Sequence, residues 1–347
     1  MSARTRRIRT IPANLVTGFL GVGKTTAIRD LLERRPETER WAVLVNEFGE
    51  IGVDGGLLAD TGVALEEIPG GCLCCVSAQM FTVGLNRLIR HQDPDRILIE
   101  PTGLGHPAQI IRTLTEPPYD GVLDLRATLT LMDARHLRSL RHREHPTWRD
   151  QIALADILVA NKLDLYIEAD REALGDFVTH MSAPRPVVVE TSNGRIEQEW
   201  LSQPRLDRGG ALFPEARAFL QAQAQQVHGL DQHHHHAPSA VPDDWVTIDT
   251  RGDGYIGRSW WLPFDRALDY AALQQLVAGF SGERLKGLLC TDQGWQQLNR
   301  VNGDGELKEL PQPSEPLRPR IEAIVTESSW DLLRGLDAAL RRTERCA

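Results

Sequence analysis

The chain has 347 residues and a formal net charge of −9. That length exceeds what one core usually organises, so two domains are expected, and the acidic balance argues against a nucleic-acid partner held on a basic face. No apolar run approaches the roughly 20 residues that a membrane helix needs. Three of the five cysteines crowd together at Cys72, Cys74 and Cys75. Such neighbours suit no disulfide framework, so a reducing, cytoplasmic setting is expected. Arg4, Arg6, Arg7 and Arg9 read as a solvated tail, because no apolar segment or Ser-rich amphipathic stretch follows before the first strand.

Residues 11–16 form an apolar strand that leads into Gly18-Phe19-Leu20-Gly21-Val22-Gly23-Lys24-Thr25. This is the phosphate-loop pattern G-x-x-x-x-G-K-[ST], with an additional glycine at Gly21. Residues 26–32 then carry Ile28, Leu31 and Leu32 at helical spacing. Gly18, Gly21 and Gly23 let backbone N–H groups approach a phosphate, because no Cβ stands in the way. The helix N-terminus, where Thr26 lies, adds its positive dipole end. Lys24 can reach the β- and γ-phosphates, and the Thr25 hydroxyl can ligate Mg²⁺.

A second apolar strand over 41–45 ends in a loop, residues 46–54, that carries Glu47, Glu50 and Asp54. Loops at the carboxyl ends of strands face the ligand in open α/β sheets, so these acids could hold Mg²⁺, a second metal or only water. Residues 63–68 read as a strand that Pro69-Gly70-Gly71 breaks just before Cys72-Leu73-Cys74-Cys75. Three thiols within four positions can converge on one soft cation and leave it a position for exchange. Inert buried cysteines are the alternative.

A helix is expected over 78–89 and a buried strand over 97–99, which enters Glu100-Pro101-Thr102-Gly103-Leu104-Gly105-His106. Glu100 could organise Mg²⁺ through water or orient the attacking water, and the Gly103 N–H could approach a γ-phosphate. His106 could be a metal ligand or proton carrier, but a loop histidine near a helix start is more often neither. Residues 127–132 form a strand ending at Asp133. Residues 135–148, with His136, His142 and His145, read as a solvated helix and loop, with metal binding as the lesser alternative.

A strand over 156–160 runs into Asn161-Lys162-Leu163-Asp164, the guanine-reading N-K-x-D pattern. An Asp164 carboxylate can accept from both the ring N–H and the exocyclic amine of guanine, whereas adenine offers the wrong donors. Lys162 can lie along the base plane, and Asn161 can tie the loop together. A last strand over 187–189 leads to a second base-contacting loop at Glu190-Thr191-Ser192-Asn193, with Ser192 as its contact.

Taken together and in order, residues 18–25, 46–54, 71–75, 100–103 and 161–164 resemble the CobW-like metallochaperone family of P-loop GTPases, over about the first 200 residues. Glu100 fits the glutamate that marks the wider GTPase class containing that family. The resemblance implies a mainly parallel α/β P-loop domain. It also implies GTP hydrolysis coupled to delivery of Zn²⁺, Co²⁺ or another transition metal to a client protein. By the same resemblance the metal sits on Cys72, Cys74 and Cys75 beside the nucleotide, with Glu47 a neighbour.

Beyond residue 210 the composition shifts. Residues 216–226 could continue as a helix. His228 and the run His233, His234, His235 and His236 follow, before Pro238 and Pro242. These imidazoles are either a polar hinge or a weak capture site for borderline cations; histidine-rich linkers in the resembling family favour capture. The last part alternates as strands over 244–248, 258–264, 284–290, 295–301 and 320–325, with helices over 268–280 and 330–340. That pattern predicts a small α+β domain with its helices on one sheet face. Arg284-Leu285-Lys286-Gly287 is its best match to the resembling family's C-terminal domain. Cys290 is expected in the core and Cys346 at a frayed end.

The expected division is therefore a GTPase domain over 1–211, a His-containing linker over 212–242 and an α+β domain over 243–347. The reading is a GTP-hydrolysing metallochaperone with Lys24 and Glu100 as catalytic residues. GTP, Mg²⁺ and Zn²⁺ (or Co²⁺) are its ligands, a client metalloprotein is its partner, and neither nucleic acid nor membrane takes part. The alternatives are a GTP-dependent activator that carries no metal itself and a P-loop kinase, which N-K-x-D argues against. Simple metal storage would not need a phosphate loop.

Overall fold

The computed structural model describes residues 10–46, 63–68, 76–103, 105, 107–208, 245–252, 254–263, 266–301, 303–312 and 318–346. The described residues through Arg208 belong to one compact unit and those from Trp245 to a second.

In the first unit, β1 (Ile11–Gly18) is followed by α1 (Lys24–Glu33), β2 (Trp41–Asn46), β3 (Ala64–Ile68), α2 (Val76–Gln92) and β4 (Arg96–Glu100). Then come α3 (Pro107–Thr115), β5 (Leu123–Leu125), β6 (Leu129–Asp133), a 3₁₀ turn over Ala134–Arg138, α4 (Leu140–Arg143) and α5 (Pro146–Ala153). β7 (Ile157–Asn161), α6 (Glu168–Thr179) and β8 (Val187–Glu190) complete it. The strand order is β3-β2-β4-β1-β6-β7-β8, with β5 beside β1, and these pairings are parallel.

A parallel sheet covered on both faces needs strands that are apolar throughout. Each residue of β6 and of β7 is buried, and β4 is buried from its second residue on. Helices pack through spaced apolar positions: Phe81, Leu85 and Leu88 of α2 join Ile110, Ile111 and Leu114 of α3 in one core with Leu15, Leu44 and Ile99. α1 buries Ala27, Ile28, Leu31 and Leu32. Because the strands run parallel, β1, β4, β6 and β7 all end at one edge. The chain order reverses between β1 and β4, which is where an open α/β sheet leaves a crevice for ligand.

In the second unit, β9 (Val246–Gly252), β10 (Tyr255–Trp261), β11 (Arg266–Leu268) and α7 (Tyr270–Gly279) precede β12 (Arg284–Thr291) and β13 (Gly294–Val301). β14 (Leu307–Leu310), β15 (Arg320–Thr326), α8 (Trp330–Arg342) and β16 (Glu344–Cys346) follow. The main sheet runs β14-β13-β12-β15-β10-β9 and is antiparallel. Leu285, Leu289, Ile321, Ala323 and Val325 project from its strands to one core, which also takes Leu273 and Val277 of α7 and Leu333, Leu336 and Leu340 of α8. Both helices therefore cover one face, as expected.

Gly287 has a packing reason: a Cβ there would stand 2.7 Å from the Arg320 carbonyl oxygen on β15. Two expectations are corrected. β10 begins three residues earlier than the alternation suggested, because Tyr255 already pairs with Thr326. Cys346 does not fray, since it is in register with Arg266 on β11.

Candidate nucleotide site

The phosphate loop joins β1 to α1 through three left-handed glycines: Gly18 at φ 140°, Gly21 at 71° and Gly23 at 100°. A Cβ on Gly18 would lie 2.3 Å from the Leu131 carbonyl oxygen, and one on Gly23 would lie 2.5 Å from the Asn161 amide nitrogen. Substitution at either is blocked by space as well as by backbone angle. Gly23 is the N-cap of α1, and no side chain caps that end of the helix. Its first N–H groups are therefore left to an incoming anion. Thr26 is exposed on that first turn and Thr25 is half-buried.

Lys24 is buried, and its Nζ donates to the carbonyls of Gly18 at 3.0 Å and Phe19 at 3.2 Å. The ammonium thus bridges the loop that a phosphate would enter. Thr25 Oγ1 donates to Glu100 Oε1 at 2.9 Å, and Glu100 is 2% exposed. The hydroxyl after the lysine and the acid ending β4 are therefore neighbours although 75 residues separate them.

The turn after Glu100 packs onto the phosphate loop at Gly103, where a Cβ would meet Leu20 atoms at 2.8–3.0 Å. Gln151 of α5 donates from Nε2 to the Gly103 carbonyl at 3.1 Å and to the Gly105 carbonyl at 3.2 Å. No sequence signal marks this glutamine, since a polar residue in a helix ordinarily faces water.

Asn161, at the end of β7, uses both ends of its carboxamide. Nδ2 donates to the Val22 carbonyl of the phosphate loop at 2.9 Å, while Oδ1 accepts from the Gly194 N–H at 2.9 Å. Gly194 follows Asn193 and Ser192 at φ 72°, and a Cβ there would lie 2.8 Å from the Ala27 nitrogen. Three loops are therefore joined at one side chain. The Leu163 N–H donates to the Thr191 carbonyl at 3.0 Å, which ties the base loop to the loop after β8. Ser192 is half-buried in that loop, and Asp164 is exposed.

Lys162 adopts φ 65° and its Nζ lies 3.5 Å from Asp133 Oδ2. Asp133 is fully buried at the end of β6. Burial alone would raise its pKa, but hydrogen bonds from Arg135 and the nearby His136, Lys162 and Arg135 charges hold it below the usual carboxylate range. Tyr166 accepts from the Ala134 N–H at 2.8 Å and donates to the Asn161 carbonyl. Burial, the largest influence, raises its phenol pKa. Asp133, Tyr166 and Gly194 hold the N-K-x-D loop; Asn193-Gly194 was the one signal of the three, as a turn pair.

Residues 135–148 are not simply solvated. Phe19 of the phosphate loop meets His142 and His145 edge-on, with ring centroids 5.6 and 4.9 Å away, and His136 stacks on His142 at 4.0 Å. Burial, then the neighbouring His142, pushes the His136 pKa down to about 3; burial and Arg141 also lower that of His142. The physical reason is local shape: Ala134, Leu137, Thr147 and Trp148 are buried, so the segment folds back on the sheet edge.

Glu47, Cys72, Cys74, Cys75, His106, His233, His234, His235 and His236 lie outside the described residues. Among the described residues no group of three or more His, Cys, Asp or Glu is placed to hold a metal ion, and no helix is long and apolar enough to cross a membrane.

Residues 12–189 match the family described as CobW/HypB/UreG, nucleotide-binding domain. The chain belongs to this family of P-loop GTPases. It is 40% identical over 331 residues to the zinc chaperone YeiR of Escherichia coli K12, covering 94% of this chain and 97% of that protein. It is 31% identical over 214 residues to the zinc chaperone CobW of a Sinorhizobium species, covering 54% and 60%. The Zn(II)-bound YjiA GTPase from E. coli aligns over 96% of this chain and 99% of its own, at 20% identity and a TM-score of 0.42.

Proposed function

We propose that the chain hydrolyses GTP to load and release a transition metal, Zn²⁺ first among them, which it delivers to a client metalloprotein. The observation that carries the nucleotide half is the Asn161 bridge from the base loop to Val22 of the phosphate loop. It supports one cradle in which Asp164 reads the base and Lys24 meets the phosphates. The metal half is supported by the Cys72-Leu73-Cys74-Cys75 stretch and by near full-length similarity to a protein named as a zinc chaperone.

In this reading a GTP phosphate takes the place of the Gly18 and Phe19 carbonyls as partner of Lys24. Its charge then offsets the charge that develops on the transferring oxygens. Thr25 and Glu100 are hard oxygen donors 2.9 Å apart, which fits Mg²⁺ and its water shell; when bound, that ion would neutralise the β- and γ-phosphates. Glu100 either holds that ion through water or orients the attacking water, and Gly103 meets the γ-phosphate. Thr26, Lys162 and Ser192 complete the nucleotide contacts. With no arginine finger assigned, turnover without a partner is expected at about 10⁻⁴ to 10⁻² per second.

The metal is cargo, held by the thiolates of Cys72, Cys74 and Cys75 with Glu47 adjacent, while His233, His234, His235 and His236 capture it weakly. Coupling between nucleotide and metal of about 1–3 kcal/mol would alter metal affinity several-fold to about a hundredfold.

Co²⁺ titration of reduced protein, with and without Mg²⁺-GTP, tests the whole reading. One tight equivalent per chain with thiolate charge-transfer bands is expected, shifted by Mg²⁺-GTP and lost when all three cysteines become serine. Lys24→Ala should abolish hydrolysis and leave that spectrum. If no thiolate bands appear in either nucleotide state, the metallochaperone reading fails and a metal-free activator replaces it.

A further inference from the structure

Gln151 is fully buried on α5, yet its side chain is polar and its Oε1 has no hydrogen-bond partner among the described residues. An apolar side chain of the same size would avoid the cost of burying that oxygen. What such a residue could not supply are the two hydrogen bonds from Nε2 to the Gly103 and Gly105 carbonyls. We propose that Gln151 is a positioning residue for GTP hydrolysis, holding the turn after Glu100 in the form that receives the γ-phosphate. This rests on the reading that residues 100–103 meet that phosphate.

Three observations carry the inference. The turn contains two glycines, whose backbone would otherwise be the freest in the site. It is closed by a bond from the Gly105 N–H to the Thr102 carbonyl at 2.9 Å and packs against Leu20 at Gly103, so one flank already rests on the phosphate loop. Gln151 fixes the other flank. Its own backbone is anchored, since the Gln151 carbonyl accepts from Thr130 Oγ1 of β6 at 3.1 Å. The carboxamide therefore links a rigid strand to two carbonyls of the turn and restricts rotation of the Gly103 and Gly105 backbone, on which the direction of the Gly103 N–H depends. Because the proposed contact is to the γ-phosphate, which a diphosphate lacks, the effect should be confined to the triphosphate.

The test compares Gln151→Met, which keeps the length and removes the donors, with Gln151→Glu, Thr130→Val and Gly103→Ala. GTP and GDP affinities and steady-state hydrolysis are measured for each, and melting with GDP verifies the fold. For Gln151→Met we expect GDP affinity within about twofold of the parent and kcat lower by about tenfold or more. Gln151→Glu should be impaired at pH 8 and recover as the pH falls, because a protonated carboxyl regains one donor for a carbonyl. Thr130→Val, which removes the anchor of the Gln151 backbone, should lower kcat in the same direction as Gln151→Met but by less.

The proposal is overturned if Gln151→Met keeps the parental kcat while Gly103→Ala loses hydrolysis, which would leave the turn reading standing. It is also overturned if GDP and GTP affinities fall in step, the mark of a merely structural residue. If Gly103→Ala too hydrolyses GTP normally, the turn reading itself fails. Should Gln151→Met not fold, the pH profile of Gln151→Glu decides, and a flat profile counts against the proposal.

Discussion

Asp164 and Gly23 show how differently two residues of the proposed nucleotide cradle should respond to change. Asp164 is exposed, and among the described residues its carboxylate makes no hydrogen bond or ion pair. Asp164→Asn should therefore leave the melting temperature unaltered and shift base preference toward xanthine nucleotides, which present an accepting oxygen to the new amide. Competition between GTP and XTP reads this directly. The parent should prefer GTP to ATP by at least about tenfold, or about 1.4 kcal/mol, and equal affinities would refute the base assignment. Gly23 sits at φ 100° with Asn161 Nδ2 2.5 Å from where a Cβ would be. Gly23→Ala must strain the backbone by about 1–2 kcal/mol and also push Asn161 off Val22. It should lower both stability and nucleotide affinity, measured by melting and by titration with a fluorescent GDP analogue.

At the scale of elements, the segment from Ala134 to Ala153 holds the phosphate loop from the side, through His142 and His145 against Phe19 and His136 stacked on His142. His136 faces Asp133, Arg135, Lys162 and His142, and burial dominates its depressed pKa of about 3. The folded value lies below the unfolded one of about 6.5. Stability is thus complete above that pH and is lost as the pH falls toward 3, because only the unfolded chain takes up the proton. By pH 5 the loss should approach about 2 kcal/mol. His136→Phe keeps the stacking and removes the titration, so urea midpoints of this variant should vary less between pH 7 and 5 than those of the parent. Nothing in the Arg- and His-rich sequence of this segment announced it, since burial against Phe19 is a tertiary event. α6 escaped for a related reason: it buries only Asp170 and Leu174, too little for an apolar stripe to register. The strands β1, β2, β4, β6 and β7 were legible because double-sided burial forces continuous apolar runs. The phosphate loop and N-K-x-D were legible because their chemistry is local. Gln151 reaches a turn 46 and 48 residues away, and spacing of that kind leaves no trace in a linear pattern.

For the molecule as a whole, two separate cores, one around Leu15, Leu44 and Ile99 and the other around Leu285 and Ile321, predict two unfolding steps. Mg²⁺-GDP at a hundred times its dissociation constant should stabilise the first unit by about 2.7 kcal/mol and leave the second where it was. Calorimetry would resolve this, and a single transition moving as one would argue against the proposed domain division. The Asn161 bridge has a last consequence of another kind. Because it fastens Val22 to Gly194 directly, the distance between base loop and phosphate loop is set before any ligand arrives. A nucleotide then binds as a bidentate ligand: once guanine has docked, the ribose tether delivers the diphosphate at a local concentration far above that in solution. That advantage belongs to the spacing and to neither contact. Asn161→Ala should accordingly weaken GDP by an order of magnitude or more, about 1.4 kcal/mol upward, while free guanosine and free pyrophosphate keep nearly their parental affinities.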